Sequence, residues 1–315
     1  MKRVKMIIAV VVTLVLGLAL LTACGKKDLD ISKYAYPDLS AEGWAVTMDV
    51  DFATISNMEE LNDNYWFPSK HGLRSYEYWC PDMIEFRTGE ALVINSIKSA
   101  DHVCSTGICP ENGVFTSGIE TRRETADGYD NVFEQAYGFF EAEVQVPTGT
   151  GMWSAFWLQS DGTNKVGNYG RDGSEIDIYE SSFLQDRNRR LAENDLSSCT
   201  GHAIHYDAGK TYESAFYRSY GKVPTLKGID LYSGYHKYAL LWTPNEYVFF
   251  VDGIPTWATS YGGVSQVAEV LRLTVEIRTG VKGPYGQDIG EFENRDDGSN
   301  EFKIKSVRIW QSSNY

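Results

Sequence analysis

Three acids fall within six residues at Glu175-Ile176-Asp177-Ile178-Tyr179-Glu180. Two carboxyls held roughly 5 Å apart can split a glycosidic acetal with retention of configuration. One attacks the anomeric carbon. The other protonates the departing oxygen and later activates water. The Ile and Tyr spacers favour a strand. Alternation along that strand puts Glu175 and Asp177 on one face and Ile176 and Ile178 on the other. Glu180 comes one residue late for the acidic face, and a single β-bulge would return it there. Acid-x-acid-x-x-acid also fits a solvated polar strand face, because 43 of the 315 residues are acidic. The surrounding sequence has to decide between the two.

That sequence is a succession of short β-rich runs. Ala91–Ile94, Phe140–Val146, Tyr238–Trp242, Tyr247–Val251, Leu271–Ile277 and Phe302–Trp310 are separated by turn signals such as Asn112-Gly113, Asp252-Gly253 and Gly262-Gly263. No long helical period interrupts them, and residues 184–198 form a polar insert. The pattern predicts an all-β chain of two antiparallel sheets packed face to face.

Several ordered blocks carry a family likeness. They are Phe115-Thr116-Ser117-Gly118, Tyr137 to Pro147, Gly151-Met152-Trp153-Ser154-Ala155-Phe156-Trp157-Leu158, the acidic strand, His202-Ala203-Ile204-His205, Tyr235 to Thr243, Val251-Asp252-Gly253 and Val307 to Gln311. Together they resemble glycoside hydrolase family 16, the laminarinases, licheninases, agarases and carrageenases, over roughly residues 43 to 315. The resemblance implies a jelly-roll sandwich whose concave sheet carries a substrate cleft. It implies Glu175 as nucleophile, Glu180 as acid/base and Asp177 as the residue that hydrogen-bonds and tunes the nucleophile, sharing a proton with it. It also places Trp153 as a sugar platform and His205 near the acid/base, and makes Arg74 a substrate contact at the cleft mouth. The bulged spacing resembles the laminarinase, agarase and carrageenase branch.

Sugar rings stack on aromatic faces, and the chain has 8 Trp, 20 Tyr and 14 Phe, most of them expected in the core. Trp153, Ala155 and Trp157 share a strand face, so Trp157 is either a platform or core. His202 lies an odd number of residues from His205 and should face the opposite way. The sequence departs from the family in places. The Trp that laminarinases carry five residues before the nucleophile is Gly170 here, preceded by Tyr169, which is taken as a candidate sugar contact. Glu143 replaces a basic residue, and Gly283 to Ile289 lacks a Trp before Gly-Asp-Ile. These departures leave the acidic trio intact and open the choice of substrate.

Met1-Lys2-Arg3-Val4-Lys5 and the apolar run to Leu21 read as an export leader of 23 residues. Leu21-Thr22-Ala23-Cys24 resembles a lipobox, so Cys24 is expected to be acylated. Residues 24–42 are then a polar tether and 43–315 the enzyme domain, lipid-anchored outside the cytoplasm. The leader takes three basic and no acidic residues with it, so the formal charge of −14 becomes −17. Such a charge disfavours nucleic acid as a partner. Of the remaining cysteines, Cys104 and Cys109 bracket a loop short enough to pair, which would leave Cys80 with Cys199; buried thiols are the alternative. No spacing suggests a zinc site. No cofactor is required. Calcium is common in the family, but no acidic loop here suggests its ligands.

The expectation is therefore an endo-acting retaining glycoside hydrolase on β-1,3- or mixed β-1,3/1,4-glucan, acting as a monomer. The alternatives are an endo-β-galactanase on agar-like or host glycans, a transglycosylase, and a non-catalytic surface glycan-binding lipoprotein.

Overall fold

A computed structural model describes residues 28–107, 110–165, 167–181, 196–207, 218–280 and 289–315. The leader, Cys24, Cys109, most of the polar insert and residues 283–288 lie outside the described residues.

Two eight-stranded antiparallel sheets dominate. The cleft sheet runs, edge to edge, through Arg218–Lys222, Gly201–Tyr206, Glu175–Ser181, Met152–Gln159, Glu269–Ile277, Gly118–Glu120 and Phe67–Pro68, with Glu134–Gln135 also paired to Glu269–Ile277. The backing sheet runs through Ile254–Thr259, Tyr247–Val251, His236–Trp242, Gly138–Gln145, Glu301–Ser312, Ala91–Asn95 and Ile84–Arg87, with Trp44–Asp51 also paired to Glu301–Ser312. The six expected runs fall in strands, except that Val146 lies one residue past the end of Gly138–Gln145. The described α-helix is short, Met58–Asp63, and is capped by the Asn57 side chain on the Glu60 N–H at 3.0 Å.

Alternation explains the layering. Ile176, Ile178, Phe156, Leu158, Leu271, Leu273 and Val275 turn inward from the cleft sheet. They meet Phe140, Leu240, Phe249, Val251, Ile304 and Val307 from the backing sheet in one core. Tyr179 joins them, its ring 4.4 Å from that of Tyr238. The Asp252-Gly253 turn joins two backing strands with φ of 49° and 77°, a left-handed pair that suits a two-residue hairpin.

Two expectations are corrected. The stretch taken as a tether is docked from Asp28 onward. Leu29 N–H bonds Ala258 O at 2.8 Å, and Leu29, Tyr34, Tyr36 and Leu39 pack on Phe139, Phe250 and Ala258 on the outer face of the backing sheet. The segment's apolar side chains have a sheet face to cover, so it folds onto the domain. Cys104 bonds Cys80 rather than Cys109, with Cα atoms 5.9 Å apart. The bond closes a 24-residue separation and is worth about 3 kcal/mol in loop entropy. Cys80 is thus unavailable to Cys199, a buried residue whose Sγ lies 3.5 Å from Thr225 Oγ1. Sequence spacing favoured the cysteine nearest in the chain, whereas the bonded partner is Cys80, which follows strand Tyr78–Trp79.

Candidate active site

The acidic strand carries the bulge its spacing requires. Gln159 pairs with Glu175, Trp157 with Asp177 and Ala155 with Glu180, and the register shifts between Trp157 and Phe156. Residues 155, 157 and 159 share one face, so the three acids opposite them do too. Ile176, Ile178 and Tyr179 stay in the core. The pocket above this face is lined by Arg74, Trp153, Ala155, Trp157, Glu175, Asp177, Glu180, Thr274, Glu276 and Arg278.

Each acid has its own surroundings. Glu180 Oε1 accepts the Trp153 indole N–H at 2.9 Å. Asp177 is 3 % exposed, and its Oδ2 lies 3.3 Å from His205 Nε2. Glu175 Oε2 accepts an amide N–H from Gln159 at 3.1 Å. Burial, then the charge of Glu180, pushes the Asp177 carboxyl well above its ordinary range, against the pull of His205. Burial also raises Glu175, with His205 opposing and Glu180 adding to the rise. His205 shows the converse balance. Burial works against its charge, but the bond to Asp177 and the charges of Asp177, Glu175 and Glu180 push it up to about 9. His205 therefore keeps its proton at neutral pH.

His202 faces the other way, as its parity predicts. It is buried against Phe249, bonded to Ile178 O at 2.7 Å and Thr256 Oγ1 at 2.8 Å, and burial lowers it to about 4. Trp157 lines the pocket floor but is 6 % exposed. Its N–H is used on Thr274 at 3.0 Å, and one ring face lies under Arg272 at 4.2 Å. Trp153 likewise carries Arg278 over its ring at 4.2 Å. Arg74 does reach the pocket, 3.1 Å from Glu276 and over the Trp79 ring. Tyr169 does not line it; its ring lies 6.3 Å from that of Tyr206. Gly170 cannot carry a larger side chain, because a Cβ there would come within 2.7 Å of Gly263 O.

Sequence reasoning missed a second set of polar residues. Arg272 ion-pairs with Glu120 at 3.0 Å and donates to Gln159 Oε1 at 3.0 Å. Burial brings it down to about 10, with Glu120 opposing, so it stays charged at neutral pH. Glu276 takes Arg74 and Arg278 together; burial would raise it, but the two guanidiniums hold it below its ordinary value. Glu269, fully buried and raised by burial to about 8, accepts the Ser174 N–H at 3.0 Å just before the trio. For Arg272 and Glu276 the signal was present in Leu271-Arg272-Leu273-Thr274-Val275-Glu276-Ile277, whose strict polar–apolar alternation marks a second polar row, one strand over from the acids; Glu269 has the parity of the core-facing positions and gave no such signal.

Among the described residues, the groupings of possible metal donors are Cys80 with Asp82 and His102, and Glu175 with Asp177 and His205. The first includes a disulfide sulfur and the second an ion pair. Neither is the set of six to eight oxygens that calcium takes, and no calcium site is assigned.

With this geometry in place, comparison with known proteins defines the class. Residues 105–264, half of the chain, match the family model described as Glycosyl hydrolases family 16, and the chain belongs to that family. It is similar to a protein named Beta-glucanase from Rhodothermus marinus, at 31% identity over 146 residues, 42% of this chain and 44% of that one. It is also similar to Endo-1,3-1,4-beta-glycanase EglC of Rhizobium meliloti (strain 1021), at 30% identity over 139 residues, 44% of this chain and 23% of that protein. The chain thus spans less than half the length of these relatives. Among solved structures, porphyranase B from Zobellia galactanivorans superposes with a TM-score of 0.61 at 19% identity, covering 85% of this chain and 92% of that one. The catalytic domain of an endo-1,3-beta-glucanase (laminarinase) from Thermotoga petrophila RKU-1 gives 0.60 at 19% identity, with 86% and 99% covered. At such identities these structures establish a shared sandwich fold.

Proposed function

We propose that this chain is an endo-acting, retaining hydrolase of β-1,3- or mixed β-1,3/1,4-glucan, with Glu175 as nucleophile and Glu180 as acid/base. The observation that carries the reading is the bulge that returns Glu180 to the face of Glu175 and Asp177. Membership of a glycoside hydrolase family and the names of the two relatives, a Beta-glucanase and an Endo-1,3-1,4-beta-glycanase, support the substrate class.

The chemistry runs in two displacements. Glu175 attacks the anomeric carbon as the carbon–oxygen bond to the leaving sugar breaks, and the Glu180 proton passes to that oxygen. Water then attacks the same carbon, gives its proton to Glu180 and frees Glu175. Trp153 holds Glu180 by one oxygen, leaving the other for the proton transfer. Asp177 and His205 form a buried pair beside the nucleophile that keeps a proton in the cluster.

The test is reducing-end release, with product masses, on laminarin, mixed-linkage glucan, agarose and a host-type galactan. Oligosaccharides from either glucan are expected, with a loss of at least a thousandfold in Glu175→Gln. Products from a galactan alone would overturn the substrate class. Binding without hydrolysis of any of the four would overturn the enzyme reading.

A further inference from the structure

We propose that Gln159, held in place by Arg272, is a positioning residue for Glu175: its amide N–H fixes one carboxylate oxygen and leaves the other for attack. The proposal rests on the assignment of Glu175 as nucleophile made above. Gln159 sits directly across from Glu175 in the neighbouring strand, the closest side-chain relation two antiparallel strands offer.

The direction of the amide follows from chemistry. Arg272 donates to Gln159 Oε1 at 3.0 Å, and a guanidinium has only donors. The amide oxygen must therefore face Arg272, and the NH2 is left to face Glu175, which it meets at 3.1 Å. Arg272 is itself immobilised. It is buried, paired with Glu120 Oε2 at 3.0 Å and laid on the Trp157 ring at 4.2 Å, while Arg122 meets the same oxygen at 3.2 Å. A chain of fixed groups thus ends on the nucleophile. Gln159 does not line the pocket over the trio, and the role assigned to it runs through Glu175.

Such a bond has a proton signature. A donor to the ionised form favours that form, so the Gln159 N–H opposes the burial that raises Glu175. The other charged groups facing Glu175 are Asp177 and Glu180 on its own strand, His205 from Gly201–Tyr206, Arg272 and Glu269 from Glu269–Ile277, and Arg74 from the cleft wall. None of these residues is itself altered when Gln159 alone is changed.

The experiment compares wild type, Gln159→Leu and Gln159→Glu on whichever of the four polysaccharides wild type cleaves. It records kcat, KM, the pH profile of kcat/KM and the unfolding midpoint. Gln159→Leu removes the donor at similar size. Its kcat is expected to fall by about 10- to 100-fold, the range for a hydrogen bond to a charged group, with KM within about twofold. The acid limb of its kcat/KM profile should move to higher pH. Gln159→Glu keeps an acceptor for Arg272 but has no N–H while ionised, so it should lose at least as much. If Gln159 served only to satisfy Arg272, Gln159→Glu would retain activity, and that result overturns the proposal. So does a Gln159→Leu enzyme with unchanged kcat and acid limb. Wild type inactive on all four substrates would fell the nucleophile assignment and this proposal together; an active wild type with unaltered variants would fell this one alone.

Discussion

The outer faces of the two sheets both carry ion pairs and use them differently. On the backing sheet, Arg308 meets Asp49 at 2.7 Å with side chains 51 % and 49 % exposed, and Lys305 meets Glu143 at 2.8 Å. On the cleft sheet, Arg272 meets Glu120 at 3.0 Å with side chains 7 % and 1 % exposed, and Asp177 meets His205 at 3.3 Å. The pairs are chemically alike. What separates them is water. A solvated pair gains little from its geometry, whereas a buried pair leaves a stranded charge if either member is lost. The cleft sheet is therefore where a charge can be fixed in position and a proton retained.

Removing one member of a buried pair puts this contrast to its hardest test. Arg272→Met is expected to destabilise by about 3–5 kcal/mol, toward the lower end because Arg122 stays 3.2 Å from Glu120. Denaturant unfolding measures it. The double variant Arg272→Met/Glu120→Leu should recover much of the loss, since it leaves no unpaired charge. A cost under about 1 kcal/mol in the single variant would mean that the cleft charges are as well solvated as those behind them, and the contrast would collapse.

How far the sequence revealed this arrangement depends on range. Glu175, Asp177 and Glu180 were legible because their relation is local: two Ile spacers and one bulge fix a face. His202 and His205 were separated by parity alone. The partners of Glu175 were not legible in the same way. Gln159 lies 16 residues before Glu175, and Arg272 lies 113 residues from Gln159 on the far side of the trio; only the register between strands brings them together. The parity that groups Trp153 with Trp157 continues to Gln159, and Arg272 belongs to an alternating strand, so both faces could be read, though not the contact. The docked segment after Asp28 misled for another reason. Its Tyr34 and Tyr36 sit among polar residues, and nothing local reveals that a sheet face awaits them.

A smaller effect should come from pH. His205 is pushed from its ordinary 6.5 up to about 9 by the bond and charges around it, against burial. A group whose folded value is raised stabilises fully below its unfolded value and loses that contribution as pH rises through the folded one. Burial-raised Asp177 and Glu175 act in the same sense, since the native state holds protons that the unfolded chain releases. Wild type should therefore lose on the order of 2–3 kcal/mol from the His205 contribution between about pH 6.5 and 9.5. His205→Gln should be less stable than wild type at pH 6 and show a shallower decline. Parallel stability curves for the two proteins would mean that His205 does not carry the charge that balances the acids.

The smallest effect is the one that makes the others interpretable. Arg308→Ala deletes a 2.7 Å ion pair, shorter than either buried pair named above, so a ranking by distance would place it first. Solvent reverses that ranking. Both side chains are about half exposed, water replaces the lost partner, and ordering two flexible side chains costs entropy that the variant no longer bears. The expected change is between 0 and about 1 kcal/mol, with the proposed hydrolysis unchanged, measured by the same denaturant unfolding as Arg272→Met. Added salt should narrow even that difference, because charges in contact with solvent are screened. If Arg308→Ala instead cost as much as Arg272→Met, the outer face of the backing sheet would have to hold its charges as rigidly as the cleft does. Rigid charge placement would then be a property of the whole sandwich and no guide to where its chemistry lies.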